Sequence, residues 1–163
     1  MFERFTDRAR KVVYLASAEA ARRGEDSPDT FDMLVGMLRE ADGIAGRVLA
    51  HDSVEVDLVL GARDSVCGEP GVSLADVESR SLIEVAWLNH GYVGTEHLLL
   101  AVCCLNKSRG ARLLVGLGKQ PLQLCSFVLE ILGPNDEWER WLAEHPDVAL
   151  GHDGTVLRGL CDK

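Results

Sequence analysis

Apolar residues recur along this chain at intervals of three and four, the mark of helices with one buried face, and strict alternation is scarce. The first stripe is Phe2, Phe5, Ala9, Val12, Val13, Ala16 and Ala20, with Thr6 placed to cap the helix and Gly24 to end it. Ser27 to Asp29, around Pro28, breaks the pattern. Thr30 then reads as the N-cap of a second helix carrying Met33, Leu34, Met37 and Leu38 on one face. Short helices are predicted from about Ile44 to His51 and from about Val54 to Leu60, and the polar stretch Gly61 to Gly71 reads as a linker. The pattern then restarts. A helix is predicted from about Ser73 to Asn89, a turn over Gly91 to Gly94, and a further helix capped by Thr95 with Leu98, Leu99, Val102 and Leu105 on its face. A short helix near Ser108 to Val115 precedes the last one, which begins at Pro121 and buries Leu124, Phe127, Val128, Ile131 and Leu132.

The two halves align without gaps at an offset of 65 residues: Val12 falls on Val77, Thr30 on Thr95, Leu34 on Leu99, Arg47 on Arg112 and Leu49 on Leu114. The matches are caps and core positions, as expected of a duplicated four-helix unit whose copies pack together because neither buries its apolar face alone. The first helices of the halves agree least, with Glu78 and Arg80 falling where the first copy has Val13 and Leu15, and a shift of register is expected there. The fold class is therefore all-α: two pseudo-twofold-related four-helix repeats, about 1–62 and 72–133, in a domain spanning 1–133. Residues 134–163 form an acidic extension with a charge of 3 − 7 = −4 and a predicted short helix over Asp136 to His145. Trp138, Trp141 and Leu142 share a face of that helix. They either dock on the domain's own core or offer an anchor to a partner's groove.

The 163 residues carry a net charge of −9, which repels phosphate backbones and anionic lipid, so neither nucleic acid nor a membrane surface is an expected partner. The longest apolar run, Leu98 to Leu105, is far shorter than the ~20 residues a bilayer span requires. Charges at Glu3 and Arg4 interrupt the place of a signal-peptide core. The five cysteines are an odd number and contain no CxxC, which fits reduced thiols and a cytoplasmic location.

Two segments resemble the N-terminal domain of the Clp (Hsp100) unfoldases, particularly the ClpC type: the opening Phe2-Glu3-Arg4-Phe5-Thr6-Asp7-Arg8-Ala9-Arg10-Lys11-Val12-Val13, and His90-Gly91-Tyr92-Val93-Gly94-Thr95-Glu96-His97-Leu98-Leu99-Leu100-Ala101. The likeness extends over about residues 1 to 133 and implies the same all-α double repeat. The ATPase modules of those unfoldases have no counterpart here. Gly116-Leu117-Gly118-Lys119-Gln120 lacks the spacing and the hydroxyl of a phosphate-binding loop, so a free-standing domain without a motor is expected.

The resemblance implies a docking module for adaptors and substrates, including substrates tagged with phosphorylated arginine. Such recognition uses the motif's glutamate together with a threonine at the start of each repeat's first helix. In the first repeat Thr6 remains, while Phe31 and Asp32 stand at the glutamate and histidine positions. In the second, Thr95, Glu96 and His97 remain, while Gly71 stands where Thr6 would be, with Ser73 the only nearby hydroxyl. Each half-site thus lacks a member, and Glu96 with Ser73 is the expected surviving pair.

The candidate partner- or peptide-binding residues are Phe2, Thr6, Ser73, Tyr92, Thr95, Glu96, His97, Trp138 and Trp141. Each has a purely structural role beside the functional one. Thr95 suits an N-cap, Glu96 complements a helix dipole, His97 suits capping or packing, and Tyr92 and Phe2 suit the core. No catalytic residue, metal site or cofactor is expected. Cys103 and Cys104 lie in an apolar helix face, and the spacing of His90, Glu96 and His97 matches no zinc template. The implied partners are Clp unfoldase or protease components, adaptors and substrate peptides, with cyclic peptides that target this family a further class. Alternative roles are an accessory subunit stabilising a protease ring and, more remotely, a thiol enzyme.

Overall fold

The computed structural model describes residues 2–66, 72–88 and 90–132, and among these it is built of eight α-helices: α1 (Asp7–Arg22), α2 (Thr30–Glu40), α3 (Ile44–His51), α4 (Val56–Gly61), α5 (Leu74–Trp87), α6 (Thr95–Cys104), α7 (Arg109–Gly116) and α8 (Pro121–Leu132). A single 3-10 turn, Arg63–Ser65, follows α4. The extension beyond residue 132, with Trp138 and Trp141, lies outside the described residues, as does most of the second half of the expected linker.

The helices repeat with the offset read from the sequence. Adding 65 to the bounds of α3 gives those of α7, and adding it to the end of α1 gives the end of α5. No register shift accompanies the weak match between the first helices: Val12 and Val77, Ala16 and Ser81, Glu19 and Glu84, and Ala20 and Val85 are all buried at equivalent places. What differs is the start. Thr6 caps α1 by accepting the Ala9 N–H at 3.2 Å, whereas α5 begins two positions later in repeat terms, at the capping box of Ser73 and Asp76. The buried acids find different partners. Glu19 meets Arg39 of α2 at 2.7 Å, while Glu84 meets Arg80 one turn back on its own helix at 2.8 Å.

α2 and α6 are the central helices, and nearly every residue of each is buried. That fits sequences apolar on all sides, Met33 to Leu38 and Leu98 to Cys104. α1 lies against α2, and α5 against α6. The tightest approach is at Gly36 of α2, where a Cβ would meet the Val12 carbonyl oxygen at 2.5 Å, so only glycine lets the two backbones come this close. Across the repeats the contacts are reciprocal, α2 with α7 and α3 with α6. Ahead of α1 the chain pairs with the chain ahead of α6: Thr6 N–H donates to the Val93 carbonyl at 2.9 Å and Val93 N–H to the Arg4 carbonyl at 2.8 Å. No helix among the described residues is long and apolar enough to cross a membrane.

Candidate functional site

Threonines 30 and 95 do not cap their own helices. Those caps are Asp29 and Gly94, one residue earlier. Both threonine side chains turn across the repeat interface instead. Thr95 Oγ1 accepts the Ala45 N–H of α3 at 3.2 Å, and Thr30 Oγ1 accepts the Gly110 N–H of α7 at 2.7 Å. Each satisfies one of the open amides at a neighbouring helix start. The close fit explains two glycines there. A Cβ on Gly43 would meet Thr95 Oγ1 at 2.5 Å, and one on Gly110 would meet the Thr30 carbonyl oxygen at 2.6 Å.

This crossing places three helix starts around one open cleft of ≈ 420 Å³. α1 contributes Thr6, Asp7 and Arg8; the α2–α3 turn and α3 contribute Asp42, Gly43, Ile44 and Arg47; α6 contributes Gly94, Thr95 and Glu96. One wall is anchored by Glu40, whose buried carboxylate accepts the Gly43 N–H at 2.7 Å and pairs with Arg8 at 3.1 Å. Arg8 is further tied toward Asp42, at 3.8 Å. Arg47 and Glu96 face the same space without such ties. No ion pair among the described residues involves Arg47; the Glu96 carboxylate folds back over Gly94, where a Cβ would meet it, and lies 3.6 Å from the His97 ring. The Glu96 side chain is 17% exposed, so its carboxylate is partly shielded from water and has no cationic partner among the described residues.

The cleft brings Thr6 into the same space as Glu96, across the repeats. Ser73 is occupied in its own capping box, accepting the Asp76 N–H at 3.3 Å and donating to the Asp76 carboxylate at 2.8 Å, and it does not line the cleft. That hydrogen bonding, first through the Ser73 backbone, holds the Asp76 carboxyl below its usual range. Tyr92 is not core either. It is 65% exposed, and Val93 takes the inward place beside Phe5. Phe2 is partly buried against the core, its ring centre 4.9 Å from that of Phe5 at a tilt of 55°. The sequence reading missed Arg8, Asp42 and Arg47. A signal for Arg47 was present in its match to Arg112 at the repeat offset.

His97 is the third residue of α6 and reaches back to the helix start, its Nδ1 accepting the Gly94 N–H at 2.9 Å. Its Nε2 lies 2.7 Å from His90 Nδ1, and Glu96 completes a trio whose ligand-type atoms fall within 4.8 Å. The hydrogen bonding assigns the tautomer. With Nδ1 accepting, the neutral His97 ring carries its proton on Nε2 and donates it to His90. That proton stands where a metal ion would have to bind, so the trio is a hydrogen-bonded pair with an adjacent acid. Burial, and then the neighbouring His90, push the His97 imidazole down to about 4.

In the first repeat the position of His97 is held by Asp32, which accepts the Asp29 N–H at 2.9 Å and pairs with Arg23. The position of Glu96 is held by Phe31, fully buried. Arg109 lies with its guanidinium carbon 4.9 Å from the Phe31 ring centre, and that of Arg23 is 5.4 Å from it. Cys103, Cys104 and Cys125 are buried.

Comparison with known proteins decides the family. The Clp repeat (R) N-terminal domain matches residues 4–117. The chain belongs to the Clp N-domain family. Chaperone protein ClpC1 of the Arabidopsis thaliana chloroplast is 36% identical over 147 residues, covering 84% of this chain and 16% of that protein. The negative regulator of genetic competence ClpC/MecB of Bacillus subtilis is 34% identical over 146 residues, covering 83% of this chain and 18% of that protein. This Clp N-domain thus spans less than a fifth of either relative's length. Its fold is similar to that of the N-terminal domain of the chaperone ClpD from Arabidopsis thaliana, with a TM-score of 0.66, 21% identity, 82% of this chain covered and 97% of that one.

Proposed function

We propose that this Clp N-domain is a non-catalytic docking module of a Clp protease system, and that the cleft between Thr6, Arg47 and Glu96 receives an arginine side chain of a substrate or adaptor, in the phosphorylated form. The observation that carries the reading is the Glu96 carboxylate, partly shielded, beside the Thr6 hydroxyl and the Arg47 guanidinium in one cleft, neither charge having an oppositely charged partner among the described residues. A guanidinium takes a carboxylate as its acceptor through charge-assisted hydrogen bonds, and a phosphoryl group takes hydroxyls and guanidinium groups as donors. Glu96 and Arg47 present both halves of that recognition, with Thr6 at the lip.

The test is fluorescence anisotropy with a labelled peptide carrying one phosphorylated arginine, compared with the unmodified peptide. The phosphorylated peptide is expected to bind and the unmodified one to bind at least tenfold more weakly. Glu96→Gln is expected to weaken binding ten- to a hundredfold, as loss of a charged hydrogen-bond acceptor worth about 1.5–3 kcal/mol implies. Equal binding of both peptides, or binding untouched in Glu96→Gln, refutes the assignment of this cleft.

A further inference from the structure

Duplication provides this fold with two cradles, and five residues lining the first have counterparts 65 residues away among the described residues: Asp29 for Gly94, Thr30 for Thr95, Phe31 for Glu96, Arg109 for Ile44 and Arg112 for Arg47. The crossing that shapes them is also repeated, with Thr30 bonded to Gly110 as Thr95 is to Ala45. The contents differ. Ile44 of the first cradle ends in a short apolar side chain, whereas Arg109 carries a guanidinium into the second. There it lies over the Phe31 ring at 4.9 Å, meets Asp29 at 3.3 Å through Nη1, and donates through Nη2 to the Arg63 carbonyl at 2.9 Å. An aromatic face, a carboxylate and a carbonyl are what a guest guanidinium would seek.

We infer that the protein's own Arg109 occupies the second cradle as an internal guest, leaving this chain a monovalent reader of one modified arginine per molecule. The inference rests on the docking reading of the Thr6–Glu96 cleft. It goes further in fixing the number of sites and the residues that set it. A second open site would turn two tags on one substrate into an intramolecular pair, with an avidity gain of about 10²–10⁴. With one site the gain is only the statistical factor of about two.

The experiment titrates the whole chain with two peptides, one bearing a single phosphoarginine and one bearing two joined by a flexible linker, by calorimetry and anisotropy. One site per chain is expected for the first peptide, with the second bound no more than about twofold tighter. The variant Phe31→Glu with Arg109→Ile, which copies the residues of the open cleft into the closed one, is expected to take two singly tagged peptides per chain, its fold being checked by circular dichroism. Two sites in the unaltered chain, or a doubly tagged peptide bound more than tenfold tighter in a one-to-one complex, overturns monovalency and leaves the docking reading standing. A folded double variant that still takes one peptide overturns the role given to Phe31 and Arg109. No binding of either peptide by the unaltered chain removes the docking reading and monovalency with it. The unaltered chain's titration decides the matter by itself should the double variant not fold.

Discussion

Phe31 and Glu96 hold the same place in the two repeats, each one residue after a threonine that reaches across to cap the other repeat's third helix. One is wholly buried between chain elements; the other opens onto a cleft with no cationic partner among the described residues. The helices that carry them and the third helices they face start at equivalent positions, Thr30 and Thr95, Ile44 and Arg109, and the side chains there differ. Where the acid is replaced by a ring, the neighbouring Arg109 folds in over it and the site becomes part of the packing. Where the acid stays, Ile44 is too short and apolar to answer it, which on the proposed reading leaves the charge to a ligand. A duplicated fold can thus keep one copy of a socket for recognition while the other becomes structure.

The widest gap between the two places should appear in stability. Phe31→Ala removes a fully buried ring and is expected to cost about 3–5 kcal/mol in urea unfolding. Less than about 1 kcal/mol would mean that the ring is not the filling of the second socket. Next is the response to acid, which separates His97 from its counterpart Asp32. The folded state holds His97 neutral down to about 4 against an ordinary value of 6.5. The unfolded chain therefore binds the proton first as the pH falls. The stability tied to the neutral ring is complete above 6.5, declines between 6.5 and 4, and is gone below 4, a loss of roughly 3 kcal/mol. A His97→Asn variant, which retains a capping acceptor, should flatten that part of the profile in unfolding measured across the pH range. An unchanged profile would show that the decline comes from elsewhere.

Smaller effects test what the two halves share. Thr30→Val and Thr95→Val each remove the hydroxyl that accepts a helix-start amide, and each is expected to cost about 1 kcal/mol. Similar losses would confirm that the crossing is equally formed in both places, whereas a loss confined to one would show that it is not. Smallest is Glu96→Gln, expected to shift unfolding by less than about 0.5 kcal/mol while it weakens binding of the phosphorylated peptide ten- to a hundredfold. That is the inverse of Phe31→Ala and the sharpest form of the contrast.

Periodicity was enough to find the helices and their duplication, because core positions such as Val12 and Val77 or Leu49 and Leu114 must be apolar wherever the fold is kept. It failed at the helix starts. Thr30 and Thr95 look like caps because threonine before an apolar run usually is one; Asp29, an equally good cap three residues before Asp32, competes with Thr30 for that place, and Gly94 gives no such signal. The make-up of the cleft is hidden from the sequence for a related reason. Reading each repeat by itself pairs Glu96 with Ser73, but the chain folds so that the start of the first helix of one repeat meets the start of the second helix of the other, which brings Thr6 to Glu96. Tyr92 was placed inside because aromatic residues usually are, yet Val93 has the inward position and the tyrosine the outward one. Spacing along a chain reports which residues share a face; it does not report which faces of two copies meet.

The exchanged hydroxyls of Thr30 and Thr95 have a consequence for how the molecule comes apart. Each half keeps a part that the other needs, so neither is a finished object when produced separately. A chain severed between residues 66 and 72 would be held together by that exchange and by the pairing of Phe5 with Val93. Two such fragments, mixed from solution, would be natural candidates for complementation, their reunion reported by the return of a single cooperative melt.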